Sequence, residues 1–214
     1  MRQLSLIDKL LAEVDQSMRT VYAVAPASTR SVAPQNLTER SDLTDEERNK
    51  AASLMRINHA GEIAAQGLYR GQAITAKDDH IKQQMAESAA EENDHLNWCE
   101  TRLKALDSHK SYLSPLWYWG SFSIGAMAGA AGDRWSLGFV KETEDQVGKH
   151  IAKHLEKLPE ADVASRDVLL QMQADEQHHA DVAEAAGAAK LPFPIRKLLM
   201  PLTSKVMTGL SAKI

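Results

Sequence analysis

The chain has 214 residues, room for one sizeable domain with arms, and its 43% hydrophobic and 25% charged content is that of an ordinary globular protein. With 25 Lys and Arg against 29 Asp and Glu, the formal charge is −4, which argues against nucleic-acid binding driven by overall basic charge. The single cysteine excludes an intramolecular disulfide framework and a cysteine-rich zinc module, and it fits a reducing compartment.

Leu4, Ile7, Leu11, Val14, Met18 and Val21 step by three and four, which predicts an amphipathic helix within Met1–Tyr22. Asp8, Glu13 and Asp15 interrupt that segment, so it reads as neither a secretory signal nor a mitochondrial presequence. Ala23–Leu43, with Pro26, Pro34 and scattered Ser, Thr and Asn, reads as a linker or wrapping arm that completes an N-terminal extension over 1–43. Thr44 and Glu47 form a capping-box pattern and predict a helix running to about Ala76. Asp78 or Asp79 can cap a second body helix that runs to about Asp107. A very apolar third segment starts near Ser114, a cap residue, with Pro115 at the first helical position. A fourth helix covers roughly Ser136–Leu158 and stops at Pro159. A fifth covers roughly Ala161–Ala189 and stops before Pro192. No run alternates apolar and polar residues long enough to demand a sheet, so the fold class is all-α, with a body over 44–189 and a tail over 190–214.

Glu92 and His95 form Glu-x-x-His, and Glu176 and His179 form it again. Residues three apart share a helix face, about 4.5 Å apart along the axis, so each pair can converge on one metal ion. Either motif alone is weak; a solvated pair is the commoner case. The stripes around them are more informative. Glu92 and His95 interrupt Ile81, Met85, Ser88, Cys99 and Leu106; Glu176 and His179 interrupt Leu169, Met172, Ala183 and Ala186. The other two long helices each carry one Glu in such a stripe. Glu62 lies among Met55, Asn58, Ala65 and Tyr69, and Glu144 among Leu137, Val140, Val147 and Ile151. A charged Glu in a core stripe is costly unless paired or coordinated.

The order Glu, Glu-x-x-His, Glu, Glu-x-x-His suggests an internal pseudo-repeat, and it is the ligand set of ferritin-like di-iron and di-manganese carboxylate bundles. Two divalent ions would neutralise four buried carboxylates that otherwise repel at low dielectric. Oxygen-rich ligation with two nitrogens favours iron or manganese over structural zinc. The competing expectation is a metal-free buried network with some carboxylates protonated. Asp175 and His178 are also three apart, but their stripe is less apolar, so Glu176 and His179 are the better ligands and Asp175 and His178 candidates for orienting them. His59, one turn before Glu62, could act likewise or be an ordinary core histidine. His150 and His154 read as solvated or outer groups, and Cys99 as packing.

These residues resemble the demethoxyubiquinone hydroxylase family, ferritin-like di-iron monooxygenases of ubiquinone biosynthesis. The likeness rests on Leu54-Met-Arg-Ile-Asn-His-Ala-Gly-Glu-Ile and Leu68-Tyr-Arg-Gly-Gln72. It extends through Glu91-Glu-Asn-Asp-His95, Ser114-Pro-Leu-Trp-Tyr118, Glu142-Thr-Glu144 and Asp175-Glu-Gln-His-His179. The resemblance implies metal-ligand roles for Glu62, Glu92, His95, Glu144, Glu176 and His179, with Glu142 a neighbouring acid beside Glu144. It implies ring hydroxylation of a polyprenylated demethoxy-benzoquinol by O2, and the N-terminal segment is similar to that of bacterial members.

Such a substrate is membrane-embedded. Tyr112–Gly132 carries no charge until Asp133 and includes Trp117, Tyr118, Trp119, Phe122 and Gly125-x-x-x-Gly129; its length could span a bilayer, but Pro115 and the clustered aromatics suit an interfacial or core crossover helix better. The tail Lys190–Ile214 is apolar and basic, without an acid, as in a membrane-surface anchor. The expectation is a peripheral protein on the cytoplasmic face of a bacterial inner membrane, in contact with other ubiquinone-biosynthesis proteins. Two other readings stand beside it: a ferritin-like protein of iron oxidation, storage or peroxide reduction, and a non-enzymatic quinone- or lipid-binding bundle. No Gly-x-Gly-x-x-Gly signature provides a resident flavin or nicotinamide domain.

Overall fold

The computed structural model describes residues 5–26, 37–39 and 42–214; Leu4 and most of the expected arm, residues 27–36 and 40–41, lie outside the described residues. Among those described there are seven α-helices and no strand: α1 (Leu6–Tyr22), α2 (Asp45–Thr75), α3 (Asp79–Ala105), α4 (Ser114–Ala131), α5 (Asp133–Lys157), α6 (Val163–Ala185) and α7 (Met200–Ser211). A π-helical stretch, Ile195–Leu199, leads into α7. Helices α2, α3, α5 and α6 form the ferritin-like bundle, with α2 on α3, α5 on α6, and α3 facing α6. Two apolar clusters fill it, one around Met55, Trp98, Ile151, Leu169 and Met172, the other around Tyr69, Ile81, Met85, Leu137 and Val140.

The caps explain where the helices begin. Thr44 and Glu47 exchange the reciprocal bonds of a capping box, and Ser5 and Asp8 do the same for α1. Asp78 caps α3 through the His80 amide, and Asp133, from the first turn of α5, accepts from the amides of Lys77 and Asp78. The α4 start differs by one residue from expectation. Leu113 occupies the cap position, Ser114 is the first helical residue, and the Ser114 hydroxyl donates to the Ser111 carbonyl instead of capping. Helix α5 begins three residues earlier than Ser136, because Gly132, at φ 123°, supplies the break and α5 can start directly after it. Helix α6 starts behind the Asp162 cap and ends before Gly187 at φ 95°.

Helix α4 lies lengthwise on α2 and reaches α5, so it is a crossover helix. No helix among the described residues is long and apolar enough to cross a membrane. Its seam with α2 is a double glycine stripe. A Cβ on Gly67 or Gly71 would collide with the backbone carbonyls of Tyr118 and Phe122, and one on Gly125 with that of Leu68. Only glycine permits this approach. Helix α1 is tied on by a forked ion pair from Arg70 to Glu13, 2.7 and 2.6 Å. Below it, Glu100 accepts from Lys110 at 2.6 Å and from the Ala25 amide at 3.1 Å. Buried Arg102 reaches the Leu37 and Glu39 carbonyls, Ser165 and Asp162, so one side chain joins arm, α3 and the start of α6.

Candidate metal centre

The four bundle helices bring Glu62, Glu92, His95, Glu144, Glu176 and His179 together between the two apolar clusters, all buried. Two ligand groups overlap there. Atoms of Glu62, Glu92, His95 and Glu176 lie within 4.8 Å of one another, and so do atoms of Glu144, Glu176 and His179. Glu176 belongs to both groups. Glu92 spans the same gap, with Oε2 2.9 Å from Nδ1 of His95 and Oε1 3.4 Å from Nδ1 of His179. Nδ1 of His95 is also 3.6 Å from Glu62 and 3.4 Å from Glu176. Both imidazoles thus turn Nδ1 inward. Their Nε2 atoms point outward to acids of the opposite helix: His95 to Asp175 at 2.9 Å and His179 to Glu91 at 2.8 Å. Each acid immediately precedes a cluster glutamate, so the crossed arrangement follows from the repeat. An outer acid of this kind fixes ring orientation and raises ligand basicity.

The electrostatics are those of a site that wants cations. Burial pushes the Glu62 and Glu144 carboxyls well above the usual range, and neighbouring carboxylates, Glu92 and Glu176 respectively, push further the same way. Burial alone would lower the two histidines. Instead, Glu92, Asp175 and Glu176 hold His95 well above its ordinary value, and Glu176 and Glu92 raise His179 to about 12. Without metal, protons do the neutralising. Oε1 of Glu92 is buried, and its 3.4 Å approach to Nδ1 of His179 falls short of a hydrogen bond, so the atom is open to another ligand. The donor set, four carboxylates and two imidazoles, fits two divalent ions of the oxygen-preferring kind.

The other expectations sort clearly. Asp175 touches the cluster, as anticipated; His178 is exposed and does not. His59 is buried but faces Glu100, 3.7 Å away, on the N-terminal side of the bundle. Nδ1 of His154 meets Asn58 at 3.2 Å, and His150 faces Ser204 of α7. Glu142 faces Arg196, away from the cluster, whereas Glu144 lies in it. Cys99 packs against Met172 in the core. Two contributors had not been singled out. Tyr69 donates its hydroxyl to Oε1 of Glu144 at 2.5 Å, and Glu91 holds His179. Tyr69 sits two turns after Glu62 on the same stripe, and Glu91 is to Glu92 what Asp175 is to Glu176; those were the available signals.

The profile of the family described as "Ubiquinone biosynthesis protein COQ7" matches residues 49–211, which include all six cluster residues. The chain belongs to this family. Among similar curated proteins, one from Nitrosococcus oceani is 50% identical over 207 residues, covering 97% of this chain and 96% of its own. One from Legionella pneumophila (strain Corby) is 51% identical over 209 residues, 97% of each chain, and one from Ectopseudomonas mendocina is 49% identical over 213 residues, 100% and 98%. All three are named 3-demethoxyubiquinol 3-hydroxylase.

Proposed function

We propose that this COQ7-family chain is a 3-demethoxyubiquinol 3-hydroxylase, a monooxygenase that uses O2 to hydroxylate the ring of a polyprenylated demethoxy-benzoquinol. One oxygen atom replaces a ring hydrogen to give C–OH. The other leaves as water, with two electrons and two protons supplied by a donor outside this chain. The observation that carries the reading is the convergence of six ligand residues in one buried cluster, on a chain half identical to named hydroxylases over nearly its full length. Two iron ions, held by Glu62, Glu92, His95, Glu144, Glu176 and His179, would supply the activation of O2. The chain's own part is to keep four carboxylates and two imidazoles converged, to aim both imidazoles through Asp175 and Glu91, and to exclude water with the flanking apolar clusters.

The quinol calls for a membrane surface, and the outward faces supply one on this reading. Leu116 and Met127 of α4 are exposed, as are Leu198, Leu199, Leu202 and Val206 around the start of α7. Beside them, between α5 and α7, a groove of about 340 Å³ gathers Lys149, Lys153, Arg196, Lys197 and Lys205 around one acid, Glu142. Apolar side chains edged by cations suit the surface of an anionic bilayer. In a bacterium that is the cytoplasmic face of the inner membrane, where other ubiquinone-biosynthesis proteins would be neighbours. An iron-storage protein has no need of such a surface.

The test is mass spectrometry of the quinone pool in cells lacking the gene. Accumulation of the demethoxy precursor with loss of ubiquinone, restored by the wild-type gene and not by Glu144→Ala, is the expected result. An unchanged pool in a strain without a second hydroxylase would sink the assignment.

A further inference from the structure

The two halves of the metal centre repeat the same ligand order, and besides their outer acids they differ at one buried hydroxyl. Tyr69 lies seven residues after Glu62 on α2, two turns along the same face. It is 0% exposed and donates to Oε1 of Glu144 on α5. The residue seven after Glu144 is Ile151, equally buried, in the apolar cluster with Met55, Trp98 and Met172. Where the repeat would place a matching donor for Glu62, it places a hydrocarbon. No hydroxyl bonds Glu62 among the described residues; its close neighbours are His95, Glu92 and Glu176.

We propose that Tyr69 is a positioning residue that pins Glu144, making the Glu144/His179 position the firmer metal site and leaving Glu62 at the other position free to re-aim. This inference rests on the metal-centre reading above. The physical case has three parts. The Tyr69 ring is fixed by its packing in the cluster with Ile81, Met85, Leu137 and Val140, so the hydroxyl is held in place before any ion arrives. A hydrogen bond to a carboxylate in a desolvated site is among the stronger ones, and deleting its donor leaves a buried oxygen without a partner. With one oxygen of Glu144 engaged, the rotamer is chosen and the rest of the carboxylate is presented to the ion without further ordering cost. Glu62 has no hydroxyl donor of that kind, because Ile151 holds the corresponding place in the repeat. It keeps a choice of rotamer and of one- or two-oxygen binding, which is what a position that must make room for a reactant requires. The pseudo-repeat is thus symmetric in its ligands and asymmetric in what holds them.

The test is a titration of the metal-stripped full-length protein with Mn2+ under anaerobic conditions, reading free Mn2+ by its aqueous electron paramagnetic resonance signal. Wild type should bind two ions in resolved steps separated by about tenfold or more in affinity. Tyr69→Phe keeps the ring and removes the hydroxyl. It should weaken the tighter step by roughly tenfold, the lower end for loss of an outer hydrogen bond, and leave the weaker step within about twofold, so the steps merge. Circular dichroism melts establish that the variant is folded. Equal weakening of both steps would mean that Tyr69 only packs, and an unaltered separation would mean that it does not pin; either result overturns the proposal. Should the variant not fold, the wild-type titration decides alone, because two equivalent steps overturn it. Failure of wild type to bind any Mn2+ at millimolar concentration is a different result: it removes the metal-centre reading, and the pinning with it.

Discussion

The outer acids offer a quantitative test of the centre. Asp175 and Glu91 hold the two histidines at nearly the same distance, 2.9 and 2.8 Å, but their side chains are 13% and 40% exposed. Loss of an outer partner generally costs 10- to 100-fold in metal affinity, about 1.4 to 2.7 kcal/mol. Water screens the more exposed pair, so the two substitutions should fall at opposite ends of that range. Asp175→Asn, which keeps the shape and removes the charge, should weaken metal retention by roughly 30- to 100-fold; Glu91→Gln should cost about tenfold or less. The assay is metal content by mass spectrometry after equilibration against a graded series of chelator concentrations. If Glu91→Gln costs as much as Asp175→Asn, burial is not what sets the strength of these pairs. If neither substitution matters, the outward nitrogens do not orient the ligands.

Metal binding to these ligands should displace protons. His95 and His179 are both held above their ordinary value by the carboxylates, so calorimetry at neutral pH in buffers of different ionisation enthalpy should show proton release, with affinity rising as pH rises; heats independent of buffer would contradict this. Gly71→Ala should destabilise by roughly 1–3 kcal/mol in chemical denaturation, because backbone atoms of Phe122 and Ala126 occupy the space. Gly148→Ala, with nothing within 4 Å, should instead gain up to about 1 kcal/mol from helix propensity. Burial alone would raise Glu100, but His59, Lys110 and the Ala25 amide draw it down to about 2 from 4.5. A lowered folded-state value means that this stabilisation is present above pH 4.5 and is lost as pH falls towards 2. It is at most about 3 kcal/mol, less because Lys110 is partly solvated. Glu100→Gln should abolish that part of the acid dependence and speed proteolysis between α1 and α2; an unchanged acid transition would refute it.

Much of this centre was legible because its chemistry repeats. The 3.6-residue period places Glu62, Glu92, Glu144 and Glu176 in apolar stripes, and burial of each in the bundle follows from those stripes. The ends of α2 and α3 were legible because Thr44 and Asp78 cap in the ordinary way. What stayed hidden depends on pairs of distant residues. Nothing in Gly67-x-x-x-Gly71 says that it meets Gly125-x-x-x-Gly129, and nothing near Arg102 says that it will collect the carbonyls of Leu37 and Glu39. The bond from Tyr69 to Glu144 joins residues 75 apart, and His59, one turn from a ligand, turns towards Glu100 instead.

Helix α1 shows the same limit in a form that can be tested. Periodicity identifies two faces and not which one folds inward. Here the face that carries Glu13 and Ser17 does: Glu13 pairs with Arg70 and Ser17 is buried, while Ile7, Leu11, Val14 and Met18 are exposed, Leu11 by 61% and Met18 by 54%; among the described residues of the stripe, Val21 is covered. An apolar stripe left outward while its helix is held by a forked ion pair gains little from folding. On the membrane-surface reading proposed above, it would join the exposed apolar residues of α4 and α7. The double substitution Leu11→Gln, Met18→Gln should therefore leave stability within about 0.5 kcal/mol. It should lower partitioning onto anionic vesicles by roughly tenfold or more, since each side chain withdrawn from an apolar phase is worth about 1.5 kcal/mol or more. Flotation with phosphatidylglycerol vesicles and a denaturant titration read the two quantities separately. A stability loss above 2 kcal/mol would show that the stripe packs on the protein; unchanged partitioning would show that the α1 stripe does not bind bilayers.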